Sequence, residues 1–281
     1  MTKWRIVTDS SIDYHKDDFD LGDIEVAVVP LQIICGDNVF VDDESLDVLE
    51  LLAKMEETKE ASKTSCPAPG QFLESYKGAE NIICFTITGA LSGTYNSAVL
   101  ASNMLKDENK DANIFVLDSH STGGHLVLLL DKTKELIEKG LSFEEICNEL
   151  TEYNKQIQIM AILGSFENLV KTGRMNPIVG AIAEKLSVKA IIENDLSGQI
   201  HPIKKTRGLR GAYSKLVDSI FEVKKDLTNL PMYISHCNNL EGALKVKELI
   251  EAKGKNNKVT ITSCKGLTTF YVMEKGIIVG F

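Results

Sequence analysis

Short apolar runs alternate with longer amphipathic ones along this chain. Residues 4–8, 25–34, 81–88 and 113–118 have the length and β-branched content of buried strands, and the last two are each followed by a stretch of helix length. Such alternation predicts a mainly parallel sheet. Helices are predicted at 45–57, where Leu46, Val48, Leu49, Leu51, Leu52 and Met55 crowd one side, and at 94–107, 123–139 and 142–155. Ser142 followed by Glu145 is a capping box that sets the start of the last one.

The pattern changes after residue 157. Strand-like segments at 157–163, 188–193, 199–205, 232–235 and 258–263 interleave with helical ones at 210–224 and 240–253. Between two of those strands lies Asn194-Asp195-Leu196-Ser197-Gly198, which is hairpin-turn chemistry, so this half mixes antiparallel pairing into its sheet. The expected fold is α/β with two domains. Residues 1–156 form a mostly parallel sheet with flanking helices, and residues 157–281 form a mixed-sheet α/β domain. A ligand is expected at their interface, since clefts between such domains commonly hold one.

Composition narrows the function. The chain has 281 residues, 43% of them hydrophobic, and a formal charge of −9, which opposes binding to nucleic acid and to anionic membrane surfaces. Its six cysteines are scattered and form no CxxC pattern, so they read as reduced thiols. The first residues lead straight into a strand without the apolar stretch of a signal peptide, and no 18 apolar residues run together. A cytoplasmic location is expected.

Familiar catalytic signatures are missing: there is no GxGxxG, GxxxxGK[ST], HExxH or EF-hand loop. Gly89-Ala90-Leu91-Ser92-Gly93 is GxxSG, not the GxSxG of a nucleophile elbow. What stands out is a set of hydroxyls beside glycines and prolines where strands give way to helices. In 86–95 a strand ends in a small-residue loop that opens a helix; Ser92 and Thr94 either cap it or join its free N–H groups in holding an anion. Thr64-Ser65-Cys66-Pro67 precedes an amphipathic segment and carries the same two readings. Thr8-Asp9-Ser10-Ser11 and Asp118-Ser119-His120 follow strands, where α/β folds gather ligand contacts.

Together these loops suit a small anion, above all a carboxylate, better than a metal. Asp9 and Asp118 are a magnesium alternative, but carboxylates at strand ends more often accept from loop amides. His120 and His125, five apart, share no helix face and read as packing or surface residues, while His201 and His236 have no partner defined by sequence. Lys171-Thr172-Gly173-Arg174 is either a helix C-cap flanked by cations or a turn that offers the Arg174 fork to a phosphate or a partner's carboxylate. Lys204 to Arg210 reads as a solvated helix start, or as a docking patch for an acidic partner.

The ordered series Thr8-Asp9-Ser10-Ser11, Val28-Val29-Pro30-Leu31, Thr64-Ser65-Cys66-Pro67, Leu91-Ser92-Gly93-Thr94-Tyr95, Asp118-Ser119, Gly123-Gly124 and Thr172-Gly173-Arg174 spans nearly the whole chain. In it the chain resembles the DegV family of bacterial fatty-acid-binding proteins. The resemblance implies a long-chain fatty acid as ligand, its tail in an apolar tunnel at the domain interface and its carboxylate at the cleft. It further implies a non-enzymatic role in phospholipid metabolism: a subunit that presents the acid to a separate ATP-binding fatty acid kinase subunit, which makes an acyl phosphate. By position the carboxylate falls to Thr64 or Ser65 and to Ser92 with Gly93, and Arg174 matches an exposed Gly-Arg pair that contacts the kinase. No cofactor or metal is implied beyond the fatty acid, no nucleic acid and no membrane span; transient membrane contact for lipid exchange is compatible.

The chain departs from the family pattern at Cys66, at Ala68 and at Lys189-Ala190-Ile191. A larger departure lies near the carboxyl end, where relatives carry a His-containing loop that helps hold the head group. Here 270–276 reads Phe-Tyr-Val-Met-Glu-Lys-Gly, with Tyr271 in the histidine's place. Either its hydroxyl replaces the imidazole donor or the head-group site is altered. Energetically a salt bridge is unnecessary: about 15 buried methylenes at roughly 0.8 kcal/mol each outweigh association costs of at least about 4 kcal/mol. Two other readings stay open, a serine-dependent hydrolase with Ser92 or Ser65 as nucleophile and His236 or His120 as base, and the same fold binding a different small ligand.

Overall fold

The computed structural model of the chain describes residues 3–15, 20–58, 61–177, 188–254 and 258–281. Strands β1 (Trp4–Asp9), β2 (Glu25–Val29), β6 (Asn81–Thr86) and β7 (Asn113–Asp118) form a parallel sheet in the order β2-β1-β6-β7. Every residue of β6 is buried, as an interior parallel strand covered on both faces requires. The expected strand at 25–34 is two strands in different sheets. Pro30, which has no N–H to donate to a ladder, separates β2 from β3 (Gln32–Cys35), and β3 pairs with β4 (Asn38–Val41) and β5 (Lys63–Ser65) in a small antiparallel sheet.

A mixed sheet follows, in the order β10-β9-β8-β13-β11-β12. It is built from β8 (Ile159–Ile162), β9 (Val188–Asn194), β10 (Ile200–Arg207), β11 (Pro231–His236), β12 (Lys258–Ser263) and β13 (Ile277–Gly280). Only β11 and β12 run parallel; the other pairings are antiparallel, as the hairpin signal at 194–198 implied.

Among the described residues the α-helices are α1 (Val48–Glu57), α2 (Pro69–Tyr76), α3 (Thr94–Glu108), α4 (Gly124–Glu138), α5 (Phe143–Asn154), α6 (Glu167–Lys171), α7 (Gly208–Val223), α8 (Leu240–Gly254) and α9 (Gly266–Val272). Helix α1 begins later than its apolar pattern suggests because the Asp47 carboxylate caps it, accepting from the N–H groups of Leu49 and Glu50. Ser142 caps α5 through the predicted box, with Glu145 reaching back to the Ser142 N–H. The basic run from Lys204 is not a helix start: it continues β10 to Arg207, and the helix opens at Gly208. Among the described residues, no helix is long and apolar enough to cross a membrane.

Helix α4 joins the two large sheets. Leu126 to Leu130 are all buried, packed with Ile6, Ile83 and Phe85 of the parallel sheet and with Tyr233 of β11. A helical turn that is apolar on every side, as 126–130 is, belongs between two such layers. Gly280 of β13 approaches α4 so closely that a Cβ there would lie 2.5 Å from the Gly124 carbonyl carbon, so contact at this depth needs a residue without a side chain.

Candidate functional site

Parallel strands finish on one edge. Asp9, Thr86 and Asp118 close β1, β6 and β7 in adjacent register, so the loops after them emerge side by side. Asp9 staples two of these loops, its Oδ1 accepting from the Ser11 N–H at 2.9 Å and its Oδ2 from the Ile87 N–H at 2.7 Å. Burial pushes its carboxyl up to about 6, against those hydrogen bonds. Asp118 does the same for the next pair, accepting from Gly89 N–H at 3.1 Å and His120 N–H at 2.9 Å. Both carboxylates are thus engaged by amides, and among the described residues no group of three His, Cys, Asp or Glu is placed to hold a metal ion.

Beside these loops lies a narrow, partly open cavity with a largely apolar lining. Ile159, Ala161, Ile192 and Ile278 of the mixed sheet form one wall, and Leu31, Ile87, Leu91 and Leu267 face it from the loops and α9. Thr64, Ser92, Arg174 and Tyr271 interrupt the apolar lining.

Thr64 and Tyr271 come together: Thr64 Oγ1 is 2.8 Å from Tyr271 Oη, though 207 positions separate them. Tyr271 sits on α9, not in the loop that its sequence neighbours implied, and packs edge-on against Phe270 with ring centroids 4.8 Å apart. Two buried acids of the first sheet's connections hold that helix. Asp42 accepts from the N–H groups of Gly266 (2.6 Å) and Leu267 (2.8 Å), and Asp13 Oδ1 from the Lys265 N–H (2.8 Å) and the Thr268 hydroxyl. Sequence reasoning passed over both acids because their partners lie more than 220 positions away; two isolated aspartates carry no local sign of such a role.

Ser92 lines the cavity while its Oγ lies 2.8 Å from Thr94 Oγ1 and accepts from the Thr94 N–H at 3.3 Å. It therefore both buttresses the α3 start and faces the cavity, so its two readings are compatible. Gly93 is exposed and does not line the cavity, but a Cβ on it would sit 3.3 Å from Cys66 Sγ, which places the Thr64–Cys66 segment directly against the Ser92 loop. Ser65, alternating with Thr64 along β5, is exposed and turned away from the lining.

Arg174 is half-buried rather than exposed. Gly173, at φ +75°, terminates α6 as the C-cap reading expected, and the turn aims the guanidinium at the cavity. Its Nε donates to the Leu91 carbonyl at 3.1 Å and Nη1 to the Thr172 carbonyl at 2.8 Å. A contact missed from sequence completes this edge. Thr88 Oγ1 donates to the Gly198 carbonyl at 3.1 Å, so the β9–β10 hairpin tip seals the loop that carries Ser92. As for the histidines, His125 is a buried packing residue bonded to Asn154, His201 pairs with Asp195, and neither His120 nor His236 lines the cavity.

A largely apolar cavity with neutral hydroxyls and one guanidinium in its lining can hold an amphiphile by its acid group. The comparisons agree in kind. A model of the family described as "Uncharacterised protein, DegV family" matches residues 3–279. A DegV domain-containing protein of Streptococcus gordonii is 36% identical over 281 residues, covering 99% of this chain and 98% of the relative. The solved structure of the Streptococcus pneumoniae fatty acid kinase (Fak) B3 protein, loaded with linoleic acid, superposes with a TM-score of 0.95 at 34% identity, covering 100% of this chain and 99% of that one. A DegV family protein from Eubacterium eligens loaded with heptadecanoic acid gives a TM-score of 0.93 at 30% identity, with 99% and 98% covered.

Proposed function

This chain belongs to the DegV family, and from that premise we propose that it binds one long-chain fatty acid in the cavity described above and presents it to a separate fatty acid kinase subunit. The observation that carries the reading is the cavity itself, narrow and walled by aliphatic side chains, with hydroxyls at Thr64, Tyr271 and Ser92. The hydrocarbon tail supplies affinity through burial. The head group is then oriented by O–H donors and by the N–H groups opening α3, because a carboxylate without partners in an apolar cavity would be costly.

In this reading Thr64, Ser92 and Tyr271 hold the carboxylate directly, Tyr271 standing in for an imidazole donor. Gly93 admits the Cys66 segment to close approach, and Ser65 is at most peripheral. Arg174 holds the Leu91 carbonyl and lies at the edge where a kinase subunit would meet the acid. Division of the chain near residue 157 accompanies this proposal, the cavity taking walls from both parts. We read the protein as a carrier, not a hydrolase: Ser92 is bonded to Thr94 rather than to a histidine. The expected location is the cytoplasm, with transient membrane contact when the ligand is exchanged.

Native mass spectrometry of gently purified protein tests the reading. The expected spectrum carries the added mass of a long-chain fatty acid, and delipidated protein regains that mass when the acid is supplied. Delipidated protein that stays folded and takes up no acyl chain would overturn it.

A further inference from the structure

The hydroxyl groups around the cavity can be matched one by one with their partners. Thr64 meets Tyr271 and Ser92 meets Thr94. Thr88 donates to the Gly198 carbonyl, Thr268 donates to Asp13, and Thr122 Oγ1 lies 3.4 Å from the Ser11 carbonyl. Ser121 differs. It lines the cavity and is only 2% exposed, and its Oγ is buried with no hydrogen-bond partner. The backbone of this residue is already engaged, its N–H donating to Ser119 Oγ at 3.0 Å and its carbonyl accepting from the Thr88 N–H at 2.9 Å. Only the hydroxyl remains without a partner.

A buried hydroxyl without a partner is unfavourable, and nearly all such groups in folded proteins are satisfied by protein, water or ligand. A plain hydrocarbon tail cannot satisfy this one. We propose that Ser121 is a specificity-determining residue that hydrogen-bonds an oxygen substituent on the acyl chain, so that the cavity selects hydroxylated or oxo fatty acids over unsubstituted ones. The inference rests on the fatty-acid reading and names the substrate class within it. Ser121 can donate to a ligand oxygen or accept from a ligand hydroxyl. Its loop is tied to Thr88 of the Ser92 loop and, through Gly123, to the Ser11 carbonyl, whereas Thr64 is tied to α9.

Delipidated full-length protein and its Ser121→Ala variant are titrated with palmitic acid and with a series of monohydroxypalmitic acids whose hydroxyl steps along the chain. The expected result is a wild-type preference of about tenfold for the hydroxyl at one or two adjacent positions, the scale of one recovered hydrogen bond. In the variant that preference disappears while palmitic acid binds at least as tightly. Because the Ser121 hydroxyl makes no bond within the fold, its removal leaves folding intact, and palmitic acid binding by the variant verifies this. A flat profile with tight palmitic acid binding, as a resident water on Ser121 would give, overturns the Ser121 proposal alone, as does a preference that survives the substitution. Wild-type protein that binds no palmitic acid overturns the fatty-acid reading beneath it.

Discussion

Thr64 Oγ1 and Tyr271 Oη lie 2.8 Å apart at the edge of the cavity, one on a three-residue strand and the other on the last turn of α9. Two hydroxyls so placed carry two protons between them. One is shared within the pair, and the other is free to meet an acceptor such as a carboxylate oxygen.

Acting as a unit, the pair has non-additive effects. Tyr271→Phe and Thr64→Val each weaken fatty-acid binding by about 1–3 kcal/mol, and the double variant loses less than their sum, with a coupling of at least about 0.5 kcal/mol. Calorimetric titration of all four proteins checks this. Strict additivity would show that the hydroxyls serve the ligand separately.

Arg174→Ala removes the donor that holds the Leu91 carbonyl. The Ser92 loop loses one tether, and the dissociation constant for fatty acid rises severalfold, in keeping with about 1 kcal/mol for one partly exposed hydrogen bond. Arg174→Lys, whose ammonium cannot reproduce the planar fork, recovers little of it. An unchanged constant in both variants would confine Arg174 to a role outside ligand binding.

Gly198→Ala is strongly destabilising. The residue has φ +80°, where an L side chain is strained, and its Cβ would lie 2.0 Å from Thr88 Oγ1. The strain alone costs roughly 1–2 kcal/mol, and the overlap forces the hairpin away from the Ser92 loop. A lower urea midpoint together with weaker ligand binding is expected; lost stability with intact binding would mean that the hairpin seal does not shape the site.

Asp13 gives stability a defined pH dependence. Burial pushes its carboxyl from 3.8 up to about 7, against hydrogen bonds from Thr268 and the Lys265 N–H. Between those values the folded chain binds more protons at this group than the unfolded chain does. Stability therefore falls as pH rises from about 4 to about 7, by a few kcal/mol for a shift of this size. His125, pushed down to about 4 by burial, acts in the opposite sense, adding stability as pH rises from about 4 to about 6.5. Comparing wild type with Asp13→Asn at each pH cancels the histidine. The variant gains on wild type by a few kcal/mol between pH 4 and pH 8 in urea denaturation; parallel curves would show that Asp13 keeps an ordinary acidity.

Much of the architecture was legible locally. The strand at 113–118, the capping box at Ser142, the hairpin at 194–198 and the glycine stop after α6 each follow from a few neighbouring residues, and all appear where expected. The break at Pro30 and the helix at 266–272 did not read as such. The first depends on which sheet each half joins, and the second on buried carboxylates supplied by distant segments. Among the candidate site residues, Thr64 and Ser92 line the cavity while Ser65 does not; the choice between Thr64 and its neighbour turned on which face of β5 looks inward.

By itself the sequence determined the alternation of strands and helices, the family, and the hydroxyl side chains gathered in the loops after strands. Those properties come from side-chain type and short-range spacing. Tertiary structure alone decided that Tyr271 reaches Thr64, that Arg174 turns inward to Leu91, and that Ser121 lies in the cavity lining with its hydroxyl unpartnered. The physical reason is that a hydrogen bond or a void depends on where distant backbones converge, and packing between sheets, unlike local propensity, leaves no trace in neighbouring residues.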